Sequence, residues 1–214
     1  LVSSQAELRS AWTTIESRCI EWAGLLLPSL DLDANRDLIP TIIASSESLK
    51  AAAIDLGTDP PPHPPGAEEW GAMKESAERC LGIAKSLELS EQAIRSLAAN
   101  YLPTLSRLVG PLGAAKLCVL AGGRERLARM PSGSIQVLGA HAAMAAHRRG
   151  APPPKHGSVI FSMPQVSRSP RWVRGKIARY LAGKASIASR IDHFDGSSWS
   201  DDEIAEIHKK SEEI

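Results

Sequence analysis

Aromatic side chains are scarce in this chain, which has 2 Phe, 2 Tyr and 5 Trp among 214 residues. Cysteine is scarcer still. Cys19, Cys80 and Cys118 are odd in number and widely spaced, with no Cys-x-x-Cys pair, which argues against a disulfide framework and against a zinc cluster. The longest apolar runs, such as Leu117 to Ala121, fall far short of the roughly 18 residues a transmembrane helix needs. No basic segment followed by an apolar one opens the chain, which begins Leu-Val-Ser-Ser rather than Met. These absences set the expectation of an intracellular globular protein without a membrane span. The 43% of hydrophobic residues suffices for one or two cores.

A further absence is local. From Arg126 to Arg190 there are 12 Lys/Arg and no Asp or Glu, where the chain-average frequency would place about 7 carboxylates. Elsewhere 13 basic residues face 24 acidic ones, so the net charge of +1 conceals a strong asymmetry. One or two Arg residues usually make a solvated face. A 65-residue segment purged of negative charge is what a polyanion-binding surface needs, because each phosphate neutralised releases counterions. Trp172 is the only Trp in that segment, so a row of base-stacking platforms cannot be built there. The residues therefore favour contacts to phosphates and sugars of a structured RNA or duplex, read by shape.

Apolar spacing predicts helices throughout. Leu8, Trp12, Ile15, Cys19, Trp22 and Leu26 alternate steps of four and three up to Pro28, and Leu38, Ile42, Ser45, Leu49, Ala52 and Leu56 repeat the pattern. Pro60, Pro61, Pro62, Pro64 and Pro65 then force a break. Trp70, Met73, Ala77, Cys80, Ala84 and Leu87 resume the seam, which suggests a helical hairpin with the prolines at its tip. Each seam is short enough to be an ordinary core stripe, although a second stripe could serve dimerisation. Ser90 reads as the cap of a helix ending before Pro103, and a single helix is expected from Leu105 to Leu120, closed by Gly122-Gly123. Another is expected from Pro131-Ser-Gly-Ser134 to Arg149, with Gly150 as C-cap. Ser158-Val-Ile-Phe161 reads as a short β-prone piece, Pro170 as a helix start, and Ser200-Asp-Asp-Glu203 as a capping box.

Catalytic patterns fail on spacing. Gly183-Lys184-Ala185-Ser186 lacks the Gly that a phosphate-binding loop places five residues earlier, where Ala178 stands, and neither a Gly-x-Ser-x-Gly elbow nor a His-Glu-x-x-His helix occurs. His141 and His147 lie six residues apart on different helix faces. Cys118 reads as a small core residue. No enzyme, metal or cofactor is predicted.

Several segments in order resemble the Nop domain. They are Met130-Pro-Ser-Gly-Ser-Ile-Gln136 with Leu138-Gly-Ala140, then Pro154-Lys-His-Gly-Ser-Val-Ile-Phe161, Arg174-Gly-Lys-Ile-Ala-Arg-Tyr-Leu-Ala-Gly-Lys184 and Ile187-Ala-Ser-Arg-Ile-Asp192. Glu21-Trp-Ala-Gly24 with Pro28-Ser-Leu30 resembles the opening of the coiled-coil region in the same proteins. The implied fold is mostly α, a helical coiled-coil hairpin followed by a compact all-α Nop domain. The expected boundaries are 1–102 for a dimerisation region with its Pro-rich tip near 58–66, 103–195 for the Nop domain and 196–214 for a C-terminal helix.

The resemblance implies a non-catalytic scaffold of the box C/D ribonucleoprotein type, active in rRNA modification, with spliceosomal pre-mRNA processing proteins as relatives. In that family the Nop domain recognises a kink-turn RNA together with the small kink-turn-binding protein seated on it. Homodimerisation falls to the hairpin. A fibrillarin-type methyltransferase is recruited through a separate N-terminal domain, which this chain is expected to lack. The implied location is cytoplasmic in an archaeon and nuclear or nucleolar in a eukaryote.

Site residues follow from the same resemblance. Lys155 and His156 sit where the family has a Pro-Lys-Tyr-Gly turn, so His156 is either a simple turn residue or an imidazole stacked on a base or bonded to phosphate. Arg168, Arg171, Arg174, Lys176 and Arg179 are assigned to RNA, with phosphate as the preferred contact. Arg190 and Asp192 read as an internal ion pair, and Trp172 as a core anchor in preference to a stacking group. Gly139, Ala140, His141, Arg148 and Arg149 are assigned to the partner protein. Here the sequence departs from the family, whose Gly-Ala-Glu-Lys and Ala-Leu-Phe-Arg are replaced by Gly139-Ala-His-Ala142 and Ala143-Met-Ala-Ala146. That loss of Lys, Phe and Arg admits an alternative, a divergent Nop-fold adaptor with weakened or lost RNA binding. A general basic duplex binder is a third reading.

Overall fold

The computed structural model describes residues 1–214 and contains helices without strands. No single helix is long and apolar enough to cross a membrane. Two compact units meet in sequence after Glu91, inside one long helix.

In the first unit, α1 (Val2–Leu26) runs antiparallel to α4 (Ala67–Tyr101), with α2 (Ile39–Ser45) and α3 (Leu49–Asp55) between them in sequence. Near its start, Gln5 donates to Glu91 at 3.0 Å and Arg9 pairs with the same carboxylate. Near its end, Cys19, Ile20, Ala23 and Leu27 share a core with Met73 and Ala77. The α1 seam differs from the expected one: Leu8, Trp12, Ile15, Trp22 and Leu26 are only partly covered, while Gln5 and Glu16 are buried. Polar groups hold those places because each has a charged partner. Glu16 accepts from Arg36 Nε at 3.0 Å and Nη2 at 2.6 Å. The second seam is cut in two by Ser46–Ser48, where Ser48 caps α3, and it buries Ile39 and Ile43 instead of Leu38 and Ser45. Ser90 caps nothing. Its hydroxyl donates to Ser86 O at 2.8 Å inside the continuous α4.

The second unit is wound around α12 (Arg174–His193), whose inner face of Ile177, Ala178, Leu181, Ala182, Ala185 and Ala188 is fully buried. Four alanines on that face let neighbouring helices approach closely. Against it lie α5 (Pro103–Val109), α7 (Arg124–Arg129), α8 (Ser132–Gln136), α10 (Ser158–Ser162) and α11 (Pro164–Ser167), while α6 (Pro111–Ala121) packs on α5, α7 and α10, and α9 (His141–His147) follows α8 in the chain. The single helix expected over Leu105–Leu120 is bent by 114° at Gly110, because Pro111 bars the helical conformation from the residue before it. The helix expected from Ser134 to Arg149 is likewise broken, at Gly139 with φ +85°. Ser158–Phe161 is helical rather than extended: no strand exists for it to pair with, and one helical turn buries Val159 and Ile160 in the core. The expected Pro170 helix start lies four residues late, at Arg174. Pro170 instead opens a turn whose carbonyl accepts from Val173 and Arg174. The capping box at Ser200 and Glu203 is present and starts α13 (Asp201–Glu212), whose Ile204 and Ile207 close the core.

Arg190 and Asp192 do not pair. Arg190 donates to Ala128 O at 3.1 Å, and the buried Asp192 accepts from the backbone N–H groups of Thr104 at 2.8 Å and Leu105 at 2.9 Å. A carboxylate at a helix start satisfies two of the N–H groups that lack partners in the helix. Pro103 accounts for a third by having none.

Candidate nucleic-acid interface

The loop 151–157 is fastened to α8 at both levels of its chemistry. Gln136 Nε2 donates to Lys155 O at 2.6 Å, and Gly157 N–H donates to Gln136 O at 2.7 Å. The second contact requires glycine, since a Cβ on Gly157 would overlap the Leu138 carbonyl. Lys155 is thereby held over α12. Its stem passes 3.5 Å from where a Cβ of Gly175 would stand, an ordinary van der Waals distance, so the lysine lies along the first turn of α12.

Two cavities flank Lys155. One, of about 370 Å³, is lined by Lys155, His156, Phe161, Arg171 and Arg174. The His156 and Phe161 rings stack at 4.6 Å and 13°, and the Arg174 guanidinium lies 5.5 Å from the Phe161 centroid. Burial, with smaller contributions from the nearby Arg174 and Lys155 charges, pushes the His156 imidazole below its usual range. His156 thus offers a neutral ring near pH 7. Arg174 Nε donates to Ser169 O at 2.9 Å and Nη2 to Ser167 O at 3.0 Å, so part of its guanidinium fastens the turn before α12.

The second cavity, about 750 Å³, is lined by Gln136, Val137, Pro153, Pro154, Lys155, Trp172, Gly175, Lys176, Arg179, Tyr180 and Ile214. No carboxylate side chain is among them. Trp172, expected in the core, is 78% exposed, because the turn at Pro170 carries it out ahead of the buried face of α12. Of the residues assigned to RNA, the structure gathers Lys155, His156, Arg171, Arg174, Lys176 and Arg179 around these two cavities, whereas Arg168, exposed after α11, lines neither.

The partner-assigned residues form a separate group. Gly139 makes the turn into α9, where its positive φ and a Cβ position 2.5 Å from Ser158 Oγ exclude side chains. Ala140 N–H donates to Val137 O, and His141, Arg148 and Arg149 are exposed on or just after α9, a helix without a buried residue. Sequence reasoning missed Gln136 as the loop's anchor and Phe161 and Tyr180 as ring partners. The i, i+4 series Trp172, Lys176, Tyr180, Lys184 was the available signal, and Lys184 does lie 5.6 Å from the Tyr180 ring.

A family model described as Nop, the snoRNA binding domain, fibrillarin, matches residues 41–213. An uncharacterised NOP5 family protein of Methanocaldococcus jannaschii is 48% identical over 122 residues, covering 56% of this chain and 29% of the relative. Human nucleolar protein 56 is 37% identical over 120 residues, 55% of this chain and 20% of that protein. Nucleolar protein 58 of Candida albicans is 29% identical over 212 residues, 88% of this chain and 40% of that protein. The chain thus spans well under half the length of these curated relatives. A crystal structure of a fibrillarin/Nop5p complex contains a chain similar to it over all its length and 74% of that chain, with a TM-score of 0.54 and 25% identity. The family match across most of the sequence, together with an all-α unit wound on the Arg174–His193 helix, establishes that this chain belongs to the Nop family.

Proposed function

We propose that this chain is a non-catalytic RNA-binding scaffold of a box C/D-type ribonucleoprotein, and that it recognises a kink-turn RNA together with the small protein bound to that RNA. The observation that carries this reading is the pair of cavities on either side of Lys155, ringed by cations and lined by no carboxylate side chain. Lys155, Arg171, Lys176 and Arg179 neutralise phosphates, while His156 contributes a ring. The turn at Gly139–His141 and the exposed end of α9 face the small protein. The helical hairpin supports pairing with a second copy. A fibrillarin-type methyltransferase is a further component of the same particle. The location is nucleolar in a eukaryote and cytoplasmic in an archaeon.

The test is a titration of the chain against a kink-turn RNA, with and without the small kink-turn-binding protein, at two salt concentrations. Tight, salt-sensitive binding that requires that protein is expected. Lys176→Ala and Arg179→Ala should each weaken it and lower the salt slope by about one. Unchanged slopes would remove those residues from the phosphate contacts. Binding to the protein alone, with no RNA requirement, would favour the adaptor reading, and equal affinity for a straightened RNA would favour a general duplex binder.

A further inference from the structure

We infer that the cavity at Trp172 is a subsite for one unstacked nucleobase of the bound RNA, with the indole as its stacking surface. This rests on the RNA-binding reading and adds to it a specific place where a base, rather than the backbone, is held. Trp172 is 78% exposed, whereas Trp12, Trp22, Trp70 and Trp199 are each partly covered by protein. The indole stands on a fastened support: the Pro170 carbonyl accepts from Val173 and Arg174, and Arg174 in turn donates to Ser167 and Ser169. With the backbone under it fixed, ordering a base on the indole costs only the rotamer freedom of that one side chain.

The surroundings suit a nucleotide in both its parts. Pro153 and Pro154 belong to the loop that Gln136 pins, and with Val137 and Tyr180 they supply apolar walls for a planar group. Lys155, Lys176 and Arg179 lie at the same cavity and answer the phosphates on either side of the base. The volume of about 750 Å³ is in the range of small-ligand clefts, roughly 300–1,000 Å³, and leaves room for a base with its sugar. Carboxylates alone would satisfy the cations but leave the indole uncovered. A base with its flanking phosphates uses both.

The test compares the full chain with Trp172→Ala and Trp172→Phe in binding the kink-turn RNA in the presence of the small kink-turn-binding protein. Base stacking is worth about 1–3 kcal/mol by alanine substitution, so Trp172→Ala should lose about 5- to 150-fold in affinity. Trp172→Phe should keep most of it. The salt slope should stay unchanged in both, since no phosphate contact is removed. In chain carrying 5-fluorotryptophan, the ¹⁹F resonance that disappears in Trp172→Phe should be the one that shifts most on adding RNA. If wild type binds RNA and Trp172→Ala binds equally well, the subsite is refuted while the scaffold reading stands. Failure of wild type to bind RNA would remove the scaffold reading itself. A loss by Trp172→Ala of the same size with the small protein alone would overturn the subsite in favour of a protein contact.

Discussion

Asp192 shows how one side chain serves two helices. It sits near the C-terminal end of α12, yet both its carboxylate oxygens are spent on N–H groups at the start of α5. Removing it leaves two buried donors without partners, each costing about 1–3 kcal/mol. Asp192→Ala is therefore expected to lower unfolding stability by at least about 2 kcal/mol, measured by urea denaturation, whereas Arg190→Met removes a single bond to Ala128 O and should lower it less. His156 makes a different prediction. Its folded-state midpoint lies below the ordinary 6.5, so between that midpoint and 6.5 the unfolded chain holds more protons, and stability from this group falls as pH drops through that window. An NMR titration of the His156 ring, assigned with His156→Ala, should give a midpoint under 6.5. A midpoint above it would mean that the stacked ring is held as a cation.

The proposed binding surface depends on three short pieces keeping register: α8, the loop 151–157 and the first turns of α12. Gly157 is the tightest point among them, because its backbone passes against the Leu138 carbonyl. Gly157→Ala is expected to cost about 1–3 kcal/mol in stability and also to weaken RNA binding, by moving Lys155 and His156 together. Gly175→Ala should be mild, since the new Cβ would meet Lys155 at an ordinary 3.5 Å. Thermal melts and one RNA titration for each variant separate the two outcomes. Helix α10 carries a further lesson. Its β-branched residues were legible as apolar but not as helical, since the choice was made by a core that contains only helices.

Charge is expected to work differently for folding and for the proposed RNA binding. The ion pairs Arg18–Glu21, Arg79–Glu75, Arg129–Glu125 and Lys210–Glu206 are solvent-exposed pairs within helices, each worth little at ordinary ionic strength. The cations around Lys155, by contrast, line cavities without a carboxylate side chain, and under the proposed function their counter-charges are the phosphates of a bound RNA. Raising salt from about 50 to about 200 mM should weaken RNA binding by an order of magnitude or more while moving the melting temperature only slightly. A melting temperature that falls in step with affinity would mean that the same charges hold the fold.

The helical class, the break at the prolines, the capping box at Ser200 and the location of the cations were all legible from local residue types, because spacing, caps and charge counts depend on neighbours along the chain. The resemblance to the Nop domain was legible for the same reason, as runs of contiguous residues. Contacts between distant residues were not. That Asp192 caps α5 across 88 positions, that Glu16 is buried because Arg36 reaches it, and that Arg174 turns part of its guanidinium inward are decided by which surfaces the core brings together. Trp172 is the clearest case: hydrophobicity alone placed it inside, and only the turn at Pro170, set by the packing of α12, puts its ring in solvent beside three cations.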